Sequence, residues 1–170
     1  MRFLRHVRAI VALPTMVTIV VPLILVLTLG PASVDAGLAI DVVLAALGML
    51  VIAAGLVLIG WTIYLFDREG RGTLAPWDSP TRLVVRGPYL HVRNPMISGV
   101  LFVVLGEAIL LRSPVLLIWF LAFFALNQTY IPLWEEPDLQ RRFGSDYVRY
   151  KRNVRRWLPR LHAWRGNDIA

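Results

Sequence analysis

The sequence predicts an all-α integral membrane protein of about four transmembrane helices, and three observations predict it. Hydrophobic residues make up 57% of a 170-residue chain whose mean hydropathy is +0.62, too apolar for a soluble domain of that length. Uncharged runs long enough to cross ~30 Å of hydrocarbon recur along it. Basic residues gather in alternate connections instead of scattering.

The first span is 9–29, uncharged from Ala9 to Leu29, with Pro14 and Pro22 able to kink it where neighbouring helices satisfy the freed carbonyls. Arg2, Arg5 and Arg8 together with Val34-Asp35-Ala36 also resemble a signal peptide, but the apolar core exceeds the usual ~7 to 15 residues. The second span, 42–66, is rich in small residues (Ala45, Ala46, Gly48, Ala53, Ala54, Gly55, Gly60) that let helices approach closely, and Trp61 and Tyr64 suit an interfacial belt. The third and fourth, 96–111 and 114–133, are joined only by Arg112 and Ser113 before a helix-starting proline, which forces an antiparallel hairpin.

Charge placement orients these spans. Arg2, Arg5 and Arg8, the loop 67–95 with Arg68, Arg71, Arg82, Arg86 and Arg93, and the tail 134–170 are basic and belong in the cytoplasm. Residues 30–37 and the Arg112 turn belong outside. The chain then reads as a single membrane domain, 1–170, with both termini cytoplasmic and a prokaryotic inner membrane as the expected host. A net charge of +7 would suggest nucleic acid in a soluble protein; here cytoplasmic bias and contact with anionic membrane lipids account for it, and no nucleic acid is expected. With no cysteine and only His6, His91 and His162, no metal site is expected.

Three polar segments could carry chemistry. In the loop, glycines and prolines set turns around a short extended stretch from Thr81 to Arg86. Tyr89, His91, Arg93 and Asn94 cluster before the third span, and Pro95 disfavours helix at Asn94, so they sit at a fixed non-helical junction. After the fourth span, the adjacent carboxylates Glu135 and Glu136 ask for positive partners. Asn127, Ile131 and Glu135 fall at i, i+4 and i+8, which puts them on one helix face, with Pro132 bending the helix between them. Hydrogen bonding between helices would also explain Asn127 and Gln128, and salt bridges to the arginine-rich tail would also explain the glutamates. Glu107, near the outer end of the third span, is explained by snorkelling or by pairing with Arg112. In the tail, Tyr147, Tyr150, Val154, Trp157 and Leu158 recur at helical spacings, which predicts an amphipathic cytoplasmic helix able to lie on an anionic surface or to cap a pocket.

Arg86-Gly87-Pro88-Tyr89, then Arg93-Asn94-Pro95-Met96 and Gly99, and after the hairpin Glu135-Glu136, Leu139, Phe143-Gly144, Tyr147, Tyr150 and Arg156-Trp157-Leu158-Pro159 resemble the isoprenylcysteine carboxyl methyltransferase and phospholipid methyltransferase superfamily. The resemblance runs from about Gly72 to Arg160. It implies an S-adenosyl-L-methionine pocket at the cytoplasmic end of the hairpin, contacted by Thr81, Arg82, Leu83 and Val84, by Tyr89, by Asn94, Pro95, Met96 and Ile97, and by Glu135. Within such a pocket Glu135 and Glu136 can hold the cofactor's ammonium or ribose, Arg93 its carboxylate, and Tyr89 can flank its base. No glycine-rich dinucleotide-type fingerprint is present.

Two departures from the pattern shape the expectation. Asn94 stands where the family usually has histidine, so a titratable group is lost there and no catalytic base is assigned. Ile131 stands where prenylcysteine-processing members place an arginine, which turns the expected acceptor from a prenylcysteine towards a small-molecule or lipid-like amphiphile. The competing expectation is a non-catalytic membrane component for binding, assembly or transport that retains the hairpin.

Overall fold

The computed structural model describes residues 14–30, 37–66, 68 and 83–165. Arg2, Arg5, Arg8, the start of the first predicted span at Ala9, Val34 to Ala36, Arg71, Thr81 and Arg82, and the last residues of the tail lie outside them. Among the described residues the chain is helical and has no strand. In order these are a π turn (Met16–Val20) running into α1 (Val21–Leu29), then α2 (Leu38–Leu65), a 3-10 turn (Gly87–Leu90), α3 (Pro95–Leu110), α4 (Pro114–Tyr130), a second π turn (Ile131–Glu135) and α5 (Glu136–Asn153).

Among the described residues, two helical runs are long and apolar enough to cross a membrane, Leu38–Leu65 and Pro114–Asn153. A soluble core helix would pass the same test but would be mostly buried. Only 11% and 17% of their most apolar stretches are buried, which suits helices whose surfaces face lipid. Met16–Leu29 and Pro95–Leu110 are apolar but shorter.

Prolines explain both π turns. Pro22 has no N–H to offer, and the helix before it widens so that the Val21 N–H reaches the Met16 carbonyl. The Val17 carbonyl, whose π-type partner would be the missing Pro22 N–H, instead accepts from the Trp119 indole at 3.1 Å, which ties α4 to the first helix. Thr18 donates back to the Pro14 carbonyl at 2.8 Å.

The tightest packing joins α2 to α3 in antiparallel fashion, through glycines seven residues apart on each helix. A Cβ at Gly55 would lie 2.6 Å from the Gly99 carbonyl oxygen, and one at Gly48 would lie 2.8 Å from that of Gly106. Of the glycines noted in the second span these two make the backbone approach, whereas Gly60 faces open space. Ile59, Val100 and Val103 fill the adjoining core.

The α3–α4 hairpin forms as its short connection predicts, with Arg112 at φ +49° and the Ser113 hydroxyl accepting from the Leu116 N–H at the start of α4. Arg112 pairs with Asp41 of α2. Glu107, expected to snorkel or pair with Arg112, instead keeps Oε2 buried without a hydrogen-bond partner.

The tail departs from expectation. The helix stops at Asn153, and Val154 is extended (φ −116°, ψ 125°), so Val154, Trp157 and Leu158 do not continue the stripe begun by Tyr147 and Tyr150. The reason is non-local: the chain beyond Asn153 hydrogen-bonds to the junction before α3. Arg93 N–H donates to the Arg155 carbonyl (2.9 Å), Arg160 N–H to that of His91 (2.9 Å) and Trp164 N–H to that of Leu90 (3.0 Å). Within α5, Gly144 (φ +55°, ψ −130°) breaks the helix into two limbs. The second limb brings Tyr147 and Tyr150 into a buried cluster with Val154 and Trp164.

Candidate functional site

The junction before α3 is held rigidly. Asn94 is non-helical (φ −119°, ψ 58°), as Pro95 after it requires, and Ser98 donates from both N–H and hydroxyl to its carbonyl. Tyr89 is buried against Leu65, Phe66 and Val84, with its ring edge-on to Phe66 at 5.6 Å. Its carbonyl accepts from the Tyr150 hydroxyl at 2.8 Å, a bond linking the junction to α5. His91 Nδ1 lies 2.7 Å from the Arg160 carbonyl; a carbonyl only accepts, so that nitrogen carries the proton.

The second π turn decides which glutamate faces inward. Pro132 has no N–H to give Gln128, the turn widens, and the Glu136 N–H bonds to the Ile131 carbonyl five residues back. Glu135, expected to align with Asn127 and Ile131, is half-buried beyond them. Glu136 also comes round towards this buried side, and its side chain is only 3% exposed. The cause is the slower rotation per residue of a π turn, which an α-helical count cannot register.

Glu136 is enclosed by cations. Oε1 accepts from Arg93 Nη1 (2.9 Å) and from Arg156 Nη2 (2.7 Å) and Nε (3.1 Å), while Oε2 meets Lys151 Nζ. Burial alone would raise its pKa, but the Lys151 and Arg156 hydrogen bonds and the Arg93 charge outweigh burial and lower it. Glu135 is half-buried, and among the described residues none pairs with it. Burial first, and the Glu136 charge second, raise its pKa against the opposing fields of Arg156, Arg142 and Arg93. Two adjacent carboxylates thus divide their work: one locks the helix to the tail and junction, the other is uncommitted.

The phenols around this pair stay protonated. Burial pushes Tyr147 up to about 12, and Tyr89 and Tyr150 upward as well, so none of them supplies a base at neutral pH. Among the described residues two buried donors lack partners, Arg93 Nε and Asn94 Nδ2. Next to a free carboxylate, they are an acceptor-seeking pair beside a donor-seeking group.

Of the residues expected at the site, Tyr89, Arg93, Glu135 and Glu136 come together, with Asn94 adjoining. Val84 packs under Tyr89, and Leu83 packs on the Tyr147 cluster, both as apolar support. Pro95 is buried, whereas Met96 and Ile97 are half-buried on the first turn of α3. Thr81 and Arg82 fall outside the described residues. Asn127 bonds within its own helix, Nδ2 to the Phe123 carbonyl (2.8 Å), while Gln128 accepts from the Trp157 indole (2.9 Å) and from Arg156 (3.5 Å). The expected salt bridging of the glutamates to the arginine-rich tail is made by Glu136 to Arg156, but Lys151 was not singled out as its partner. Arg156 lay in the noticed run before Pro159, but Lys151 carried no signal, because only the Gly144 break turns it back on Glu136.

A family model described as phospholipid methyltransferase matches residues 43–146, more than half of the chain. The match takes in most of α2, which lies ahead of the residues that suggested a resemblance, and ends before Tyr147 and the Arg156–Pro159 run. Comparison with curated proteins and with solved structures returns no match.

Proposed function

The chain belongs to the phospholipid methyltransferase family, and from that premise we propose that it is an S-adenosyl-L-methionine-dependent methyltransferase acting on an amphiphilic or lipid-like acceptor at the cytoplasmic membrane face. Family membership implies a membrane methyltransferase in general; the donor, the face and the residues are our reading. So is the arrangement of four spans with both termini cytoplasmic in a prokaryotic inner membrane, which rests on the distribution of arginines.

One observation carries the site assignment. Glu135 is an uncommitted carboxylate within electrostatic reach of Arg93, and the junction offers two orphaned buried donors, Arg93 Nε and Asn94 Nδ2. This set fits a zwitterionic amino-acid moiety with a sugar: the donors suit its carboxylate, and Glu135 suits its ammonium or ribose hydroxyls. Tyr89 and the backbone from Asn94 to Ile97 supply the remaining wall, with Leu83 and Val84 behind. Glu136 holds Arg93 in place from the opposite side.

When bound, the sulfonium donor supplies an already activated methyl group, so the chain's part is alignment and exclusion of water. The Tyr150–Tyr89 hydrogen bond and the tail's backbone bonds to residues 90–93 fix the junction against which an acceptor would be aligned. With Asn94 neutral and the phenols protonated, these residues favour an acceptor that arrives as a free nucleophile.

The test is incubation of membranes bearing wild type or Glu135→Gln with methyl-labelled cofactor, followed by separation into lipid, protein and small-molecule pools. Wild type should label the lipid or amphiphile pool, and Glu135→Gln should lower this by at least about ten-fold, the loss expected for one charged hydrogen bond. No labelled pool in wild type, or unchanged labelling in the variant, overturns the reading.

A further inference from the structure

A groove of about 430 Å³ lies in the crook of α5, lined by Pro132, Pro137, Gln140, Arg141 and Lys151. The Gly144 break makes it, because the second limb of α5 returns Lys151 towards the π turn from which Pro132 projects. We propose that this groove holds the phosphate-bearing headgroup of an anionic phospholipid from the surrounding bilayer, as an accessory site separate from Glu135 and the junction.

Charge complementarity is the first argument. Arg141 is 77% exposed and only loosely tied to Asp138, at 3.9 Å, because Arg142 holds that carboxylate more closely. Its planar fork is free to meet two phosphate oxygens, and Lys151 adds a point charge from the facing limb. The acidic neighbours Glu136 and Asp138 are each already paired, so the groove is net positive.

Position is the second. In the second π turn, next to Pro132 of the groove, Leu133 and Trp134 are 59% and 60% exposed, and the Trp134 ring stacks on Tyr130 at 5.9 Å. Exposed apolar residues with Tyr and Trp at a helix end mark the boundary where acyl chains give way to headgroups. A lipid whose chains lie against Leu133 and Trp134 carries its phosphate to Arg141 and Lys151. The proline rings form the apolar floor, and the Gln140 amide is a further donor.

The site has a consequence for its neighbour. Lys151 is shared between the groove and Glu136 Oε2, whereas Arg93 and Arg156 hold Oε1. A bound phosphate competes for Lys151, and lipid charge is thereby felt at the carboxylate that positions Arg93.

Native mass spectrometry of the full-length protein in detergent, with equimolar phosphatidylglycerol and phosphatidylcholine, tests this without reference to methyl transfer. Wild type should retain one phosphatidylglycerol in preference to phosphatidylcholine. Arg141→Gln should lower that retention about five-fold, the worth of one basic residue at an anionic surface. Arg152→Gln removes the same charge from an exposed position outside the groove and should retain the lipid as wild type does. Thermal unfolding of both variants should match wild type. Equal retention of the two lipids overturns the proposal, as does equal loss in both variants, which would mean diffuse attraction to the basic tail. Displacement of the lipid by equimolar inorganic phosphate would assign the groove to a soluble anion and overturn the lipid assignment.

Discussion

Replacing Glu136 with Gln removes the one negative charge that Arg93, Lys151 and Arg156 share while leaving the side chain's size and one acceptor oxygen in place. The carboxylate is 3% exposed and accepts three nitrogens at 2.7–3.1 Å on Oε1 alone, so the cations it leaves behind remain partly desolvated and repel one another. Breaking a buried ion pair by removing one partner costs roughly 3–5 kcal/mol. For a domain of this length each kcal/mol moves the unfolding midpoint by about 2–4 °C, which gives a fall on the order of 10 °C. The assay is thermal unfolding in detergent, followed by tryptophan fluorescence, for wild type, Glu136→Gln and Glu135→Gln. The acid limb gives a second readout. The Glu136 pKa is lowered from the ordinary 4.5, so its stabilisation is fully present above the unfolded-state pKa and is lost as pH falls through the folded-state one. Wild type should therefore lose stability below about pH 4.5, and Glu136→Gln should lose less of it. Glu135 carries the opposite sign: its pKa is raised, so its charge opposes folding at neutral pH, and Glu135→Gln should be neutral or stabilising at pH 7. A Glu136→Gln midpoint within about 2 °C of wild type, or a larger fall for Glu135→Gln, refutes the division of labour between the two carboxylates.

Gly55→Ala should cost about 1–3 kcal/mol by overpacking, since its Cβ meets the Gly99 carbonyl oxygen at 2.6 Å and the Val103 nitrogen at 2.9 Å. Gly60→Ala, which meets nothing within 4 Å, should be neutral or stabilising by up to about 1 kcal/mol through helix propensity; equal effects of the two on thermal unfolding would count against the glycine contact. Gly144→Ala introduces no contact within 4 Å, so its cost of about 1–3 kcal/mol is backbone strain alone, read as a lowered unfolding midpoint; an unchanged midpoint would mean that the break between the limbs does not need glycine.

What could be read in advance followed from local rules. The all-α architecture, the hairpin at Arg112-Ser113 and the non-helical Asn94 came from apolar run lengths and from proline's missing donor and steric demand, which act on immediate neighbours. The burial of Glu136 shows where such counting stops, since an α-helical count turns it away from Ile131 and the π turn brings it round. Pro132 was visible as a bend, but whether a proline bends, breaks or widens a helix depends on the partners available to the freed carbonyls. The tail was misread for a related reason. Tyr147, Tyr150, Val154 and Trp157 do have helical spacing, yet residues 155, 160 and 164 find backbone partners at 90–93, and a contact across more than sixty residues leaves no period in the sequence. Of the site, Tyr89, Arg93, Glu135 and Glu136 were legible as polar groups at the ends of apolar runs, to which the resemblance added roles, and Lys151 was not.

The second π turn holds one residue more than an ordinary helical turn needs between Ile131 and Glu136. That surplus gives the chain slack at one place along its length. Deleting Pro132, whose missing N–H widens the turn, would let the segment close as a plain α turn, with Glu136 then four places after Ile131 and still aimed at the same three cations. The same deletion within α4 would swing every residue after it through about 100° and point Glu136 away from them. Here the chain can be shortened by a residue where it cannot afford to have Glu136 changed, so length and chemistry are constrained separately only a few ångströms apart.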